Sequence, residues 1–152
     1  MKSTRENTIE VFNDLIKVNN DRVEGYEKAA KEVKDEDADL RELFNTMADE
    51  SRELSGALTN YVQVTGEKTA KGTSTEGKIY RMWMDVKATF SGNDRKSILA
   101  SCEAGEDAAQ RSYEKALEED LSEEGRQIIT EQKNKLRRSH DKIKNLRDIQ
   151  HA

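Results

Sequence analysis

Apolar side chains recur at steps of three and four through most of the chain. The same periodicity marks four segments, which cover residues 9–33, 40–62, 98–117 and 128–149. In the first of them the apolar positions are Ile9, Phe12, Ile16, Val23, Tyr26, Ala30 and Val33. This spacing places the apolar residues on one face of an α-helix, and it predicts four long amphipathic helices.

Polar and glycine residues suggest where the first two helices begin and end. Asn7 and Glu10 have the spacing of a capping box, so helix 1 is expected to begin near Asn7. It is expected to stop at residues 35–37, with helix 2 following almost at once. Gly66 predicts the end of helix 2, because glycine is favoured just after a helix C-terminus.

The three connections differ in length, and this difference predicts the topology. The first and last connections are only a few residues long, which forces the helices they join to be antiparallel. The middle connection, residues 66–93, contains a short apolar stripe of its own at Ile79, Trp83, Val86 and Phe90. A connection of that length can return along the bundle and lets helices 2 and 3 run parallel.

We therefore predict a single all-α domain over residues 1–152. Its predicted fold is a ferritin-like four-helix bundle, made of two antiparallel helix pairs joined by a long crossover that contains a short helix. The crossover is placed at residues 66–93. Helix 3 is expected to begin at residue 93 or 94, and helix 4 near Ser122.

Composition supports a helical protein and argues against some partners. Charged residues make up 38% of the 152 residues, the formal net charge is −5, and there is no proline. The charges are mixed in sign, which is typical of the solvated faces of long helices. The net negative charge argues against nucleic acid as a partner. The basic residues between 133 and 144 are diluted by acidic ones and carry no interleaved Phe, Trp or Tyr.

The cysteine content and the hydropathy indicate the compartment. Cys102 is the one cysteine in the chain, so no intramolecular disulfide can form. No segment approaches the roughly 20 apolar residues that a membrane span needs. The first eight residues have no apolar run of the signal-peptide type. We therefore expect a cytoplasmic protein without a membrane partner.

A short internal repeat links the two halves of the chain. The sequence Tyr-Glu-Lys-Ala occurs at residues 26–29 and again at residues 113–116. A polar residue stands seven positions before each tyrosine: Asn19 before Tyr26, and Glu106 before Tyr113. The repeat is the pattern expected of a bundle assembled from two similar helix pairs.

Four stretches of the sequence carry a family resemblance: GYEKAA (25–30), LRELF (40–44), YRMWMDVK (80–87) and CEAGED (102–107). Together they resemble an uncharacterised bacterial family of small four-helix-bundle proteins, classed as a domain of unknown function within the ferritin-like superfamily. The resemblance extends over residues 8–148. It implies the ferritin-like fold and a bacterial origin, and the superfamily suggests a part in a stress response. It implies no established activity.

Active ferritin-like proteins bind two iron ions through a Glu on each of two helices and a Glu-x-x-His motif on each of the other two. At the corresponding positions this chain has Asn19 on helix 1, Ser51 on helix 2 and Glu106 on helix 3. On helix 4, His140 lacks its partner, because Arg137 stands three residues before it. The di-iron motif is therefore broken.

Asn19, Ser51, Glu106 and His140 are nevertheless expected to meet inside the bundle. One interpretation is a hydrogen-bonded network, with Glu106 paired to His140 or to a neighbouring hydroxyl or amide. A second is a remnant metal site formed by Glu106, His140, Glu50 and Asn19, which would bind one ion weakly. A working di-iron centre is disfavoured, because too few carboxylates and imidazoles remain. The sequence favours the network.

The sequence has no phosphate-binding loop, nucleophile elbow or zinc-ligand spacing. Cys102 lies on the apolar stripe of helix 3, where a thiol is usually inert. We therefore expect a non-enzymatic protein without a cofactor, which acts as a homodimer or larger homo-oligomer or through a protein partner. Trp83 and its neighbours offer a possible dimer contact. The alternative function is binding of iron or another divalent metal, or oxidase chemistry, through Glu106 and His140.

Overall fold

The computed structural model describes residues 3–69 and 95–149, and within these ranges the chain is helical and contains no strand. The elements are α1 (Thr4–Glu32), a 3-10 turn (Asp35–Asp37), α2 (Ala38–Val64), α3 (Arg95–Leu117) and α4 (Glu123–Ile149). The prediction of an all-α protein with four long helices is confirmed. The predicted short crossover helix lies outside the described residues.

The N-terminal cap of α1 lies one turn earlier than expected. The Ser3 hydroxyl accepts a hydrogen bond from the Glu6 backbone N–H at 3.1 Å and lies 3.1 Å from the Glu6 carboxylate. The capping pair is thus Ser3 and Glu6, and the expected pair of Asn7 and Glu10 was wrong. Asn7 lies inside the helix, and its side-chain amide donates to the Asp120 carbonyl at 2.9 Å.

Helix α1 also ends earlier than expected, at Glu32, because Val33 and Lys34 both adopt extended backbone with ψ of 149° and 154°. The acidic residues 35–37, expected to end helix 1, form the separate 3-10 turn. The end of α2 was predicted correctly. Gly66 follows it with a φ of +85°, a conformation that glycine adopts without the steric cost met by other residues.

Contacts at the two ends of the bundle fix the helix directions. The guanidinium of Arg95, at the start of α3, pairs with Asp37 and Asp39, at the start of α2. At the other end, the Ser122 backbone N–H, just before α4, donates to the Thr8 hydroxyl of α1 at 2.9 Å. The helices of each pair, α1 with α2 and α3 with α4, are therefore antiparallel, whereas α2 and α3 begin at the same end. The chain leaves α2 at one end of the bundle and enters α3 at the opposite end.

The core consists of two apolar clusters, one toward each end of the bundle, and each takes residues from all four helices. One includes Tyr26, Phe44, Leu99 and Ile143, and the other includes Phe12, Leu58, Tyr113 and Leu136. Most residues of the predicted stripes are buried. The exceptions are Val23, Tyr61, Leu117, Ile128 and Leu146, which are partly buried, and Ile149, which is 63% exposed at the end of α4.

Polar side chains from all four helices lie between the two apolar clusters. Asn19, Arg22, Ser51, Glu106 and Gln132 are each at most 4% exposed. We call these five residues, with the hydroxyl groups of the two core tyrosines, the polar layer. No helix in the described ranges has both the length and the apolar character of a membrane span.

Candidate functional site

Arg22 is the centre of the polar layer. It is fully buried, and its Nε and Nη2 donate to Oε1 of Glu106 at 2.9 and 2.7 Å. Its Nη1 donates to the Ser51 hydroxyl at 2.8 Å and to the Met47 carbonyl at 3.2 Å. The guanidinium carbon lies 5.2 Å from the ring centre of Tyr26, within the range of a cation–π contact. A buried charge is tolerated when it is paired and hydrogen bonded, and Arg22 meets both conditions.

The hydrogen bonds that Glu106 accepts from the described residues all end on one oxygen, Oε1. Besides the two bonds from Arg22, Oε1 accepts a bond from the Tyr26 hydroxyl at 2.5 Å. The second oxygen, Oε2, is buried and accepts no hydrogen bond from the described residues. The carboxylate is therefore held by its charge pairing with Arg22 and by three donors that converge on a single atom.

Glu50 is a second carboxylate beside Arg22. Its Oε1 lies 2.9 Å from Arg22 Nη1, and it accepts a hydrogen bond from the Ser139 hydroxyl of α4 at 2.8 Å. The Glu50 side chain is 27% exposed, in contrast to the fully buried Glu106. The guanidinium thus contacts two carboxylates, one inside the core and one at its edge.

A row of hydrogen bonds leads away from Arg22 across the bundle. The Ser51 hydroxyl, which accepts from Arg22, donates to Oδ1 of Asn19 at 3.0 Å. The Asn19 amide donates to the Tyr113 hydroxyl at 2.8 Å and to the Leu15 carbonyl at 2.9 Å. This part of the row links α1, α2 and α3.

The row continues into α4 and ends on the backbone. The Tyr113 hydroxyl donates to Gln132 Oε1 at 2.7 Å, and Gln132 Nε2 donates to the Leu54 carbonyl at 3.1 Å. Every donor in the row points away from Arg22, because a guanidinium has only N–H donors to offer. The row thereby joins all four described helices and extends over about two turns of α3, from Glu106 to Tyr113.

The two tyrosines of the repeat bind the polar residue of the opposite half. Tyr26 donates to Glu106, and Tyr113 accepts from Asn19. Asn19 and Glu106 are the residues seven positions before Tyr26 and Tyr113 in the sequence. The repeated motif therefore acts reciprocally, since each half of the chain supplies the partner for the tyrosine of the other.

Burial and the Glu106 charge set the ionisation of the surrounding groups. Burial by itself lowers the pKa of Arg22, but the nearby Glu106 and Glu50 charges outweigh it, and the pKa lies above its ordinary value. Burial raises the pKa of the Tyr26, Tyr113 and Cys102 side chains. The Glu106 charge raises the pKa of Tyr26 and Cys102 further.

The structure separates the four residues that sequence reasoning proposed as metal ligands. Glu106 and Glu50 both contact Arg22, and Asn19 reaches Arg22 through Ser51. His140 does not join them. It faces Asp107, with Nε2 at 2.5 Å from Asp107 Oδ1. Of the two expected partners of Glu106, His140 is therefore wrong, whereas a neighbouring hydroxyl is found in Tyr26, beside the unexpected Arg22.

His140 belongs to a second group of charged residues, where α3 and α4 meet near the surface. Glu103, Asp107 and His140 each offer one ligand atom, and these atoms lie within 4.8 Å of one another. The other imidazole nitrogen, Nδ1, lies 3.3 Å from Asp141 Oδ1. Arg147 forms an ion pair with Glu103. We call Glu103, Asp107 and His140 the surface cluster.

Arg22 and Gln132 are the residues of the polar layer that sequence reasoning missed, and Arg22 is the more consequential of the two. The apolar stripe of helix 1 steps seven positions from Ile16 to Val23, and Val23 is only partly buried. Positions 19 and 22 lie on the inward face within that interval, and both are polar. The seven-residue gap was the available signal, but arginine is usually placed on the solvated face of a helix.

The residues of the polar layer do not fit a di-iron centre. Such a centre needs several anionic oxygens and imidazoles around its two metal ions. Here a permanently charged guanidinium contacts both Glu106 and Glu50 and takes the position that a metal ion would need between them. Asn19 and Ser51 are neutral, and the Ser51 hydroxyl donates a hydrogen bond to Asn19.

Together, the fold and this site define a protein whose four described helices meet around a buried arginine–glutamate pair and the hydrogen bonds that extend from it. A family model described as Domain of unknown function (DUF2383) matches residues 7–119, and the chain belongs to that family. The match includes Arg22, Ser51 and Glu106 and ends before α4, which contributes Gln132 and His140. A search of curated proteins found no match.

Proposed function

We propose that this chain is a non-enzymatic, ferritin-like bundle protein in which the Arg22 guanidinium takes the place of a di-iron centre. The observation that carries the proposal is the fully buried contact of Arg22 with Glu106, to which Glu50 adds a second carboxylate. The helix directions support a ferritin-like topology, because two antiparallel pairs are linked by a connection between opposite ends of the bundle. On this proposal the protein acts through assembly or partner binding.

The chemistry of arginine supports this assignment. A guanidinium stays protonated at any physiological pH, and it supplies the positive charge that the two carboxylates need. It has no open coordination position and no second oxidation state. A metal ion could bind between Glu106 and Glu50 only by displacing a side chain that is 0% exposed and hydrogen bonded on all three nitrogens.

The decisive experiment is anaerobic loading with Fe(II), followed by exposure to air. We expect wild-type protein to retain no iron that depends on Glu106 and to show no rapid Fe(II) oxidation. The matched variants are Glu106→Gln, which changes the buried carboxylate, and Glu114→Gln, which changes an exposed one on the same helix. Two irons per chain with rapid oxidation, lost in Glu106→Gln but kept in Glu114→Gln, would overturn the proposal.

The alternative function, iron or other metal chemistry through Glu106 and His140, has less support. The two side chains face different partners, since Glu106 pairs with Arg22 and His140 with Asp107. A homodimer or larger homo-oligomer remains a prediction, which analytical ultracentrifugation of the full chain tests directly. The bacterial origin, the cytoplasmic location and a role in stress response also remain predictions, drawn from the family resemblance and the composition.

A further inference from the structure

The surface cluster lies where α3 faces α4, and its residues are not those of the polar layer that the proposed function uses. Glu103 and Asp107 are four residues apart and therefore lie on one face of α3, one turn above each other. His140 faces them from α4. All three side chains are thus held by packed helices rather than by loops, which limits how far their ligand atoms can move apart.

The donor set suits a divalent transition metal. Two carboxylate oxygens and one imidazole nitrogen are ligands that Zn²⁺ accepts, at distances of about 2.0–2.2 Å. Around one such ion, neighbouring ligand atoms are separated by roughly 3.4 Å in tetrahedral geometry. In the structure the three atoms lie within 4.8 Å of one another, so small side-chain rotations bring them to that distance.

The surroundings of His140 add an independent observation. Metal-bound histidines usually use their second ring nitrogen to donate to a carboxylate, which fixes the orientation of the ring. His140 has Asp107 at Nε2 and Asp141 at Nδ1, so one nitrogen can bind a metal while the other keeps a carboxylate partner. The His140 side chain is 15% exposed, which leaves an approach from solvent.

Glu103 gives a further observation. It is only 9% exposed, and its Oε2 is the oxygen that pairs with Arg147 Nη1. Its charge is balanced by the ion pair with Arg147, whose side chain is 29% exposed and stands in the last turn of α4. Arg147 also pairs with Asp148, at 3.1 Å, so it has a second carboxylate to contact when it leaves Glu103.

We propose that Glu103, Asp107 and His140 form a site for one divalent transition-metal ion, with Arg147 as the cation that the ion displaces from Glu103. His140 supplies the imidazole nitrogen, Asp107 and Glu103 supply one oxygen each, and water completes the coordination. Asp141 orients the ring from its other side. The site is separate from the polar layer and does not depend on the proposed function.

Isothermal titration with Zn²⁺ tests this site on the full chain. We expect saturable binding of one ion per chain, weakened at least about tenfold in His140→Gln and in Asp107→Asn. His151 is the only other histidine in the sequence, so His151→Gln is the matched control and should bind like wild type. Arg147→Gln should bind a few-fold more tightly, because it removes the competing cation.

Several results would overturn the site: no saturable Zn²⁺ binding by wild type, equal binding by wild type and His140→Gln, or an equal loss in His151→Gln. Circular dichroism confirms that each variant is folded, and Asp107→Asn provides the test if His140→Gln is not. Zn²⁺ has no redox chemistry, so failure here leaves the proposed function intact. Failure of the proposed function would appear instead as Glu106-dependent iron oxidation.

Discussion

Helix α3 carries three carboxylates within five residues, and they enter two different environments. Glu106 turns into the core and meets Arg22, whereas Glu103 and Asp107 face α4, where Arg147 and His140 lie. In each region, one glutamate of α3 pairs with an arginine of another helix. The Arg22 side chain is 0% exposed, and the Arg147 side chain is 29% exposed.

Both regions pair an arginine with a glutamate, so the difference in burial, and not the residue type, determines how much each pair contributes to stability. When a partner is removed in the core, water cannot replace it, so an unpaired charge costs several kcal/mol. Arg147 is 29% exposed, so solvent and neighbouring side chains replace part of a lost interaction there and the cost is lower, although Glu103 itself is only 9% exposed. The core pair is therefore a fixed part of the structure, whereas the proposed metal site requires Arg147 to leave Glu103.

The largest expected effect comes from removing the buried cation. Arg22→Met leaves the Glu106 charge in the core without its partner, and we expect the free energy of unfolding to fall by about 3–5 kcal/mol. Arg147→Met, the matched surface change, should cost much less. Urea denaturation of both variants at pH 7 measures the difference. Similar losses would show that the two pairs are energetically alike and would remove the basis of the comparison.

The next effect should appear in alkaline solution. The pKa values of Cys102, Tyr26 and Tyr113 are raised in the folded state, so these groups stay protonated after their unfolded counterparts ionise. The unfolded chain then binds fewer protons than the folded chain, and stability falls as the pH rises above about 8.5 for the thiol and about 10 for the tyrosines. Each group contributes up to about 1.4 kcal/mol per pH unit.

Denaturation midpoints between pH 7 and pH 11 measure this loss. The Cys102→Ala variant supplies the control, because it should remove the part of the slope that begins near pH 8.5 while leaving the tyrosine part. A midpoint that does not change across this range would contradict the raised pKa values of the buried groups.

A smaller effect is expected from breaking the hydrogen-bond row. Tyr113→Phe removes the hydroxyl between Asn19 and Gln132 and leaves Gln132 Oε1 without its donor, which should cost about 1–3 kcal/mol. Tyr61→Phe is the matched change at the edge of the core, where the hydroxyl pairs with Ser122 and is partly exposed. Thermal unfolding of both variants ranks them. A larger loss in Tyr61→Phe would be evidence against the row.

The smallest effect is expected at Ser139, whose partner Glu50 lies at the edge of the core. Ser139→Ala removes the hydrogen bond to Glu50, and we expect a loss of about 0.5–1.5 kcal/mol. Glu50 is partly exposed, so water can take the place of the serine hydroxyl. Ser112→Ala, at a half-buried position on α3, controls for the loss of a serine hydroxyl in a helix. A loss as large as that of Arg22→Met would show that water does not replace the serine hydroxyl beside Glu50.

Much of the fold could be predicted from the sequence, because apolar periodicity responds directly to burial. Phe12, Phe44, Leu99 and Ile143 are all at most 2% exposed, and all four were on the predicted stripes. The helix ends were harder to predict, because serine and asparagine are both favoured as N-caps. In the structure Ser3 caps α1, and the Asn7 amide donates to the Asp120 carbonyl instead.

The candidate site was less predictable for a physical reason. Asn19, Ser51 and Glu106 interrupt the stripes, so their inward position could be seen in the sequence. Their partner could not, because arginine usually lies on the solvated face of a helix unless a buried carboxylate offsets the cost of its desolvation. The Asp107 partner of His140 lies 33 residues away on another helix, and nothing local in the sequence encodes that distance.

The buried pair also has a consequence for the order of folding. Arg22 and Glu106 are 84 residues apart and belong to different helix pairs. Each antiparallel pair can form from contacts close in sequence, with its charged residue still hydrated. The two charges lose their water only when the pairs dock. We therefore expect docking of the two pairs to be the late step of folding. Arrangements that bury Arg22 or Glu106 without the other are disfavoured by the cost of an unpaired buried charge.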